Sequence, residues 1–458
     1  MSLLAPALVY IDADQMAGGA YVYRKPHFDV ARERGWTCIA LTNSNNANLA
    51  DISVDADRVI EMADFESRTV SGTLLDLAGS YHIAALMFFP GQCPPQGDLG
   101  EVVETAAALL GLPFIPAQAL TLCNNKFLMR RKLEWMPSDA PPVAAWLIND
   151  ADDVDKLAGE IRFPVIAKPP FGAGSLFIKR CTNAGELKVQ QIRYRERWQD
   201  NSLAVNFGNA PHAFVDARRE RHEFRPGVSL LVEDYVEGRE GSVECVVYQG
   251  RVYPLIVQEK LLLSEGVSTI FEHQLVTPPV SFSEDQVAAI RRYAIDCLTT
   301  LGIDNSIVHM EFRMTDAGPK AIEINPRLGG FYVNRAFQDI AGLNPYALNL
   351  DMLSGSLDPD VLLAAADRVA SAPDYFTMFV LYAPRSGYLR TIVGVDEATR
   401  QCGMLAHFID MKDRFYDVEN EENYIAKFWG TAGSAREVSA LYESVCAQVQ
   451  IEMTTEAC

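Results

Sequence analysis

VHMEFRMTDAGPKAIEINPRLGG, residues Val308–Gly330, carries two alternating runs on either side of the turn-forming cluster Thr315-Asp316-Ala317-Gly318-Pro319. That pattern predicts a β-hairpin. Folded about Ala317, it sets Glu311 opposite Glu323 and His309 opposite Asn325. Side chains alternate along a strand, so His309, Glu311, Arg313, Glu323 and Asn325 share one face. Met310, Phe312, Met314, Ile322 and Ile324 then make the core face. Directly opposed carboxylates destabilise a sheet unless positive charge lies between them. Hard oxygen donors such as Glu311, Glu323 and Asn325 suit Mg²⁺, which keeps waters and shares itself with substrate phosphates. Taken alone, the stretch also reads as a solvated hairpin face with incidental acids.

Outward from the hairpin, the helical pattern Glu284–Leu301 precedes it, closed by Gly302. Ser242–Tyr248 and Val252–Gln258 pair naturally as strands about Gln249-Gly250. Leu230–Val232 is apolar and runs into Glu233-Asp234-Tyr235-Val236, with Glu240 shortly after. Further back, Phe163–Pro170 is an apolar strand containing Lys168, and it leads into Phe171-Gly172-Ala173-Gly174-Ser175. A Gly/Ser loop in that position can turn its backbone N–H groups onto phosphates, and it can equally be a simple hairpin turn. Asn124–Leu133 predicts a helix with asparagine near its N-cap, placing Lys126 and Arg130 on one face. The arginine-rich segment Gln191–Arg225 reads as a solvated surface or as a substrate-facing lid.

Toward the N-terminus, Ala7–Ile11, Thr37–Leu41, Arg58–Ile60 and Ala84–Pro90 alternate with helical stretches near Gly72–Ala78 and Asp98–Leu110. This is the signature of a parallel α/β layer. Gly18-Gly19 lacks the remaining glycines of a dinucleotide fingerprint and reads as a tight turn. Past Gly355, Phe376–Tyr382, Gly387–Val393 and Met404–Phe408 predict one antiparallel unit, and Ser434–Val449 a closing helix.

The bulk properties limit the function. With 458 residues, 49% hydrophobic and 22% charged, the chain is globular and long enough for two or three domains. Forty Lys+Arg against sixty Asp+Glu, a net charge of −20, argue against a general nucleic-acid binder. Nine cysteines without C-x-x-C spacing predict reduced thiols in a cytoplasmic protein. The opening MSLLAPALVYIDAD reads as a strand rather than a signal peptide, and no apolar run is long enough to span a bilayer.

The order of these pieces, from about Lys126 to Gly330, resembles the ATP-grasp family of carboxylate–amine ligases. The resemblance implies phosphate contacts from Lys126 and Lys168, and from a loop at Gly172, Ala173, Gly174 and Ser175. It implies adenine contacts along Glu233, Asp234, Tyr235 and Val236, a ribose contact from Glu240, and metal ligation by Glu311, Glu323 and Asn325. Arg327 stands where the family often places a phosphate- or acyl-phosphate-binding arginine, so Arg327 and Lys168 are the candidate catalytic pair. Glu272, His273, His309 and Arg327 are candidates for reading substrate. Within the family, VHMEFRMTDAGPK followed by EINPRLGG looks most like the L-amino-acid ligase and carnosine-synthase branch.

That resemblance implies an ATP-grasp fold of mixed α/β and α+β character in three parts. These are a Rossmann-like N-terminal layer over residues 1–118, an ATP-grasp domain over 119–355, and a mostly antiparallel extension over 356–458. The lid would occupy about 145–236 and the catalytic part about 237–355. The implied cofactors are ATP and Mg²⁺, with Mn²⁺ as a substitute. The implied substrates are a small carboxylate and an amine, both amino acids, joined through an acyl phosphate with release of ADP and phosphate; a homodimer with no nucleic-acid or membrane partner is expected. Three rival readings stand beside this: a biotin-carboxylase-type enzyme, a purine-pathway ligase, and a nucleotide-binding regulator without turnover.

Overall fold

The structure, a computed structural model, describes residues 4–13, 19–46, 48–90, 97–137, 142–157, 159–172, 175–199, 211–408, 415–420 and 424–456. Four short apolar runs form the first sheet: β1 (Ala5–Asp12), β2 (Thr37–Thr42), β3 (Arg58–Glu61) and β4 (Tyr81–Phe88). They are parallel, in the order β3-β2-β1-β4. Leu8–Ile11 is buried without interruption, as expected of a parallel strand covered on both faces. The helix Pro345–Leu353 closes one of those faces, with Leu350 and Leu353 against Leu8 and Phe28. The N-terminal layer is thereby fastened to the part of the chain that bears the hairpin.

A second sheet comprises β5 (Ala145–Ile148), β6 (Val165–Lys168), β7 (Lys179–Cys181) and, later in the chain, β10 (Leu230–Asp234), in the order β5-β10-β6-β7. All its pairings are antiparallel. Between β7 and β10 lie the helix Ala184–Arg197 and a hairpin of β8 (His212–Val215) and β9 (Arg221–Phe224). Asp216 and Glu220 beside that hairpin pair with Arg131 at 2.9 and 3.0 Å. Acids and arginines of the mixed-charge segment are therefore partly spent on the helix Lys126–Leu133.

The third sheet holds β11 (Arg239–Tyr248), β12 (Arg251–Glu265), β13 (Ile270–Thr277), β14 (Ser306–Thr315), β15 (Gly318–Asn325) and β16 (Tyr375–Tyr382). Beyond these come β17 (Gly387–Val393), β18 (Leu405–Phe408), β19 (Phe415–Tyr416), β20 (Tyr424–Ala432) and β21 (Gln450–Thr454). The order in the third sheet is β15-β14-β11-β12-β13-β16-β20-β18. Gln249 and Gly250, both at positive φ, make the two-residue β11–β12 turn that strand twist favours. Helix Glu284–Leu301 starts from a Ser283/Gln286 capping box, ends at left-handed Gly302, and covers the face built from Met310, Phe312, Met314 and Ile324.

Two expectations for the C-terminal part are corrected. The segment from Phe376 to Phe408 is not one antiparallel unit: β16 and β18 join the third sheet, while β17 pairs with β19 and β21. The helix Ala435–Gln448 does not close the fold, because β21 follows it and pairs with β17. A local pattern identifies a strand but does not select its partner. The third sheet also runs on unbroken across residue 355. Among the described residues no helix is long and apolar enough to cross a membrane.

Gly238 leads into β11 at φ +150°, and a Cβ there would lie 2.2 Å from the Met314 carbonyl oxygen. Gly238→Ala is expected to cost on the order of 3 kcal/mol, read as a lower urea midpoint at unchanged m-value. An unchanged midpoint would mean that β11 and β14 separate freely at this end.

Candidate active site

The ladder sets Glu311 opposite Glu323 and His309 opposite Asn325. The turn itself is tighter than expected. Thr315 pairs with Gly318 across Asp316-Ala317, and one extra residue is inserted between the Phe312–Ala321 and Glu311–Glu323 pairs. That bulge corrects one assignment: Ile322 lines the cavity above the hairpin, and Ala321 enters the core in its place. Arg130 grips the bulge, donating from Nη1 to the Ala321 carbonyl at 2.5 Å and from Nη2 to that of Ile322 at 3.2 Å.

The cavity holds about 260 Å³ and lies between the hairpin face and the second sheet. Lys126 and Lys168 both reach it. Lys126 begins the helix Lys126–Leu133, whose N-cap Asn125 accepts from the Phe127 and Leu128 amides. Its Nζ donates to the Gly172 carbonyl at 2.8 Å and pairs with Glu323 at 3.3 Å. Lys168 ends β6, and its Nζ lies 2.5 Å from Glu233 Oε1, while Arg130 Nε holds the other oxygen at 2.8 Å. Burial disfavours the Glu233 carboxylate, yet Arg130 and Lys168 outweigh it and bring its pKa down to about 2. The Lys168 ammonium is pushed below its ordinary value by burial, with Arg130 and Lys126 adding to the effect against the pull of Glu233.

A lysine missed in the sequence lies buried behind Glu240, Glu272 and Glu311, which line the cavity. Lys260 Nζ is 2.8 Å from both Glu240 and Glu311 and also contacts Glu272. Burial opposes its charge, but these three glutamates raise its pKa well above the ordinary lysine value. Burial likewise opposes ionisation of Glu311, while Lys260 and then His309 hold it well below the usual carboxylate range. Sequence reading ended this strand at Gln258, whereas β12 continues to Glu265 and carries Lys260 two strands away from β14 in the same sheet. The signal that could have revealed it is the polar triplet Gln258-Glu259-Lys260 between the apolar runs of a long strand.

His309 Nδ1 lies 2.6 Å from Glu244, another residue missed, and Nε2 lies 3.4 Å from Glu311. Burial alone would neutralise the ring; Glu244 and Glu311 outweigh it and raise its pKa from 6.5 to about 10. A pKa raised on folding adds stability that is complete below pH 6.5 and disappears as pH climbs through about 10. Urea unfolding in chelator should therefore show stability falling across that window. The fall should be shallower in His309→Gln, by up to about 1.4 kcal/mol per pH unit. Parallel profiles for the two proteins would show that the ring is neutral.

The remaining sequence-derived candidates divide. Gly172, Ser175, Asp234, Val236, Glu240, Glu272, Asn325 and Arg327 line the cavity. Ala173 and Gly174 lie outside the described residues. Tyr235 is not in the lining; its ring meets the guanidinium groups of Arg180 and Arg313, at 5.4 and 5.0 Å from the centroid. His273 points away from this cavity into a second one, because it alternates with Glu272 along β13. Glu240, expected at a ribose, pairs with Arg313 at 2.7 Å as well as with Lys260. Arg327 donates from Nη1 to the Leu328 carbonyl at 3.0 Å and keeps its buried Nε without a partner. Glu323 pairs with Lys126 and is also the strongest charge acting on Arg327, whose guanidinium burial pushes below its ordinary pKa.

The donor set fits a hard divalent cation. Two carboxylates face each other across one ladder pair beside a buried carboxamide; Glu323 is neutralised by Lys126, which lines the cavity and which a phosphate could draw away, and Glu311 by the buried Lys260.

A model of the ATP-grasp domain matches residues 161–335. Carnosine synthase 1 of Gallus gallus is 28% identical over 270 residues, covering 56% of this chain and 24% of that protein. The chain thus spans about a quarter of the length of that relative. Dapdiamide A synthase of Enterobacter agglomerans is 24% identical over 337 residues, covering 72% of this chain and 69% of that protein. Among solved structures, an L-amino acid ligase from Bacillus licheniformis superposes with a TM-score of 0.70 at 18% identity, covering 99% of this chain and 100% of that one.

Proposed function

We propose, for a chain that carries an ATP-grasp domain, that the protein is an ATP-dependent ligase joining the carboxylate of one amino acid or small acid to the amine of a second substrate. The observation that supports this reading is the meeting of Lys126 and Lys168 with Glu311, Glu323 and Asn325 around one cavity. The names of similar proteins, an L-amino acid ligase among them, agree with amino-acid substrates.

A carboxylate does not react usefully with an amine at neutral pH, because its leaving group would be oxide. Transfer of the γ-phosphoryl group to the carboxylate makes phosphate the leaving group, and amine attack then gives amide, ADP and phosphate. The protein's task is to bring two anions together. Lys126 and Lys168 exchange Glu323 and Glu233 for phosphate oxygens, and Gly172 and Ser175 line the cavity with them. Arg327, which lines the cavity with a buried Nε that has no partner, holds the acceptor carboxylate. Asp234, Val236 and Glu240 line the nucleoside end. Bound Mg²⁺, held by Glu311, Glu323 and Asn325, supplies charge neutralisation at the transferring phosphoryl group. Burial keeps water from competing with the amine and strengthens each of these contacts.

The test is ADP and phosphate release with ATP and Mg²⁺ over a matrix of amino-acid pairs. Release that requires both partners of a pair, with a condensed product of matching mass, supports the ligase. ATP affinity without release for any pair would favour the nucleotide-binding regulator. Arg327→Ala should lower kcat about a hundredfold while changing ADP affinity less than about threefold. Normal turnover in that variant would remove Arg327 from the mechanism.

A further inference from the structure

Strand β13 is a wall shared by two cavities. Ile270 and Glu272 face the first, while Phe271 and His273 face a second of about 520 Å³. The β13–β16 ladder ends at the Gln274–Phe379 pair, and the second cavity opens where the strands part. There a side chain substitutes for the missing ladder. The Tyr382 hydroxyl accepts from the Glu272 amide at 3.1 Å and donates to the Glu272 carbonyl at 3.0 Å. The ring of Tyr382 meets Phe271 at 4.8 Å and His273 edge-on at 5.2 Å. Tyr442, on the helix Ala435–Gln448, completes an aromatic box, with its hydroxyl 3.4 Å from His273 Nδ1. Ser264 Oγ lies 2.7 Å from His273 Nε2.

We propose that this second cavity binds an uncharged aromatic small molecule, and that Tyr382 transmits its presence to Glu272, which lines the first cavity, and to its buried partner Lys260. None of the described lining side chains carries a fixed charge. A nucleotide or an amino-acid zwitterion would have to surrender hydration there with nothing to pair against. Aromatic rings, by contrast, gain from edge-to-face and offset contacts with Phe271, Tyr382 and Tyr442. The Ser264–His273–Tyr442 chain offers polar atoms to orient one donor or acceptor on the ligand. The volume falls in the range of small-molecule sites. Transmission follows from geometry. Tyr382 holds both backbone polar groups of Glu272, whose carboxylate contacts Lys260, so a ligand that shifts the Tyr382 ring shifts the support of Lys260. Tyr382 is in this sense a positioning residue.

Indole serves as the probe, in calorimetric titration of the intact chain. One site is expected, with a dissociation constant on the order of 1 mM for so small a ligand, and saturating ADP should not compete for it. Val449→Trp, which fills the cavity, and Tyr442→Ala, which opens the box, should each weaken indole at least about tenfold with unchanged circular dichroism. Saturating indole should shift the ADP dissociation constant about threefold or more, and Tyr382→Phe should bind indole while losing that shift. No indole binding, binding unaffected in both cavity variants, or displacement by ADP that goes to completion, beyond the reciprocal coupling factor, would overturn the site. An ADP constant indifferent to bound indole would overturn the transmission. Indole binding is read without turnover, so failure of the ligase reading is distinguishable from failure of this one.

Discussion

Glu323→Gln should lower turnover about a thousandfold, equivalent to roughly 4 kcal/mol of transition-state stabilisation. The amide keeps the shape of the side chain and one oxygen donor but removes half of the carboxylate charge on the paired strands. Because Glu311 and Glu323 are directly opposed, each completes what the other begins, and one alone holds a divalent cation poorly. The half-saturating Mg²⁺ concentration should rise more than about tenfold. The same change relieves Lys126 of its carboxylate partner at 3.3 Å. ADP binding measured in chelator should therefore be undiminished. This split between metal dependence and nucleotide affinity is what a general loss of folding would not produce. Turnover within a few-fold of normal would move the metal elsewhere.

Lys260→Met should destabilise the protein by about 3–5 kcal/mol at pH 7, the usual consequence of removing one member of a buried charge cluster. Glu240, Glu272 and Glu311 place carboxylate oxygens within 4.8 Å of one another around this ammonium group. Arg313 still serves Glu240 and His309 still serves Glu311, but the three acids lose the cation they share. The pH dependence gives the cleaner reading. In the wild type, Glu240 and Glu311 titrate below their ordinary 4.5, so the stability they contribute is present above that pH and is lost on acidification. Without Lys260 at least one carboxyl of the group is raised instead, and acidification then relieves the folded state. Urea unfolding at pH 7 and pH 5 should show the gap between variant and wild type narrowing at the lower pH. A constant gap would indicate that lost packing of the lysine stem, and not the unpaired acids, sets the cost.

The hairpin shows how far local patterns reach. Its facing acids follow from a period of two and a turn near Ala317. They face each other even though the turn is one residue tighter, because the bulge at Ile322 restores the offset. The bulge itself had no local signal, since what stabilises it is Arg130, almost two hundred residues away in sequence. Lys126, Lys168 and the loop at Gly172 were legible from their order along the chain. His273 was not separable from Glu272, because only the pairing of β13 between β12 and β16 says which of two adjacent residues faces which cavity.

Taken by itself, the order of residues was enough for the kinds of elements, the parallel N-terminal layer and the acid-bearing hairpin, all of which depend on spacing within a few residues. Which ammonium rests on which carboxylate, how far β12 extends past Gln258, and where β16 leaves β13 to open a second cavity were decided by tertiary structure. Those outcomes depend on burial and on pairings between segments distant in the chain. Burial is what turns an ordinary lysine and three glutamates into one interdependent group, and no window of sequence contains it.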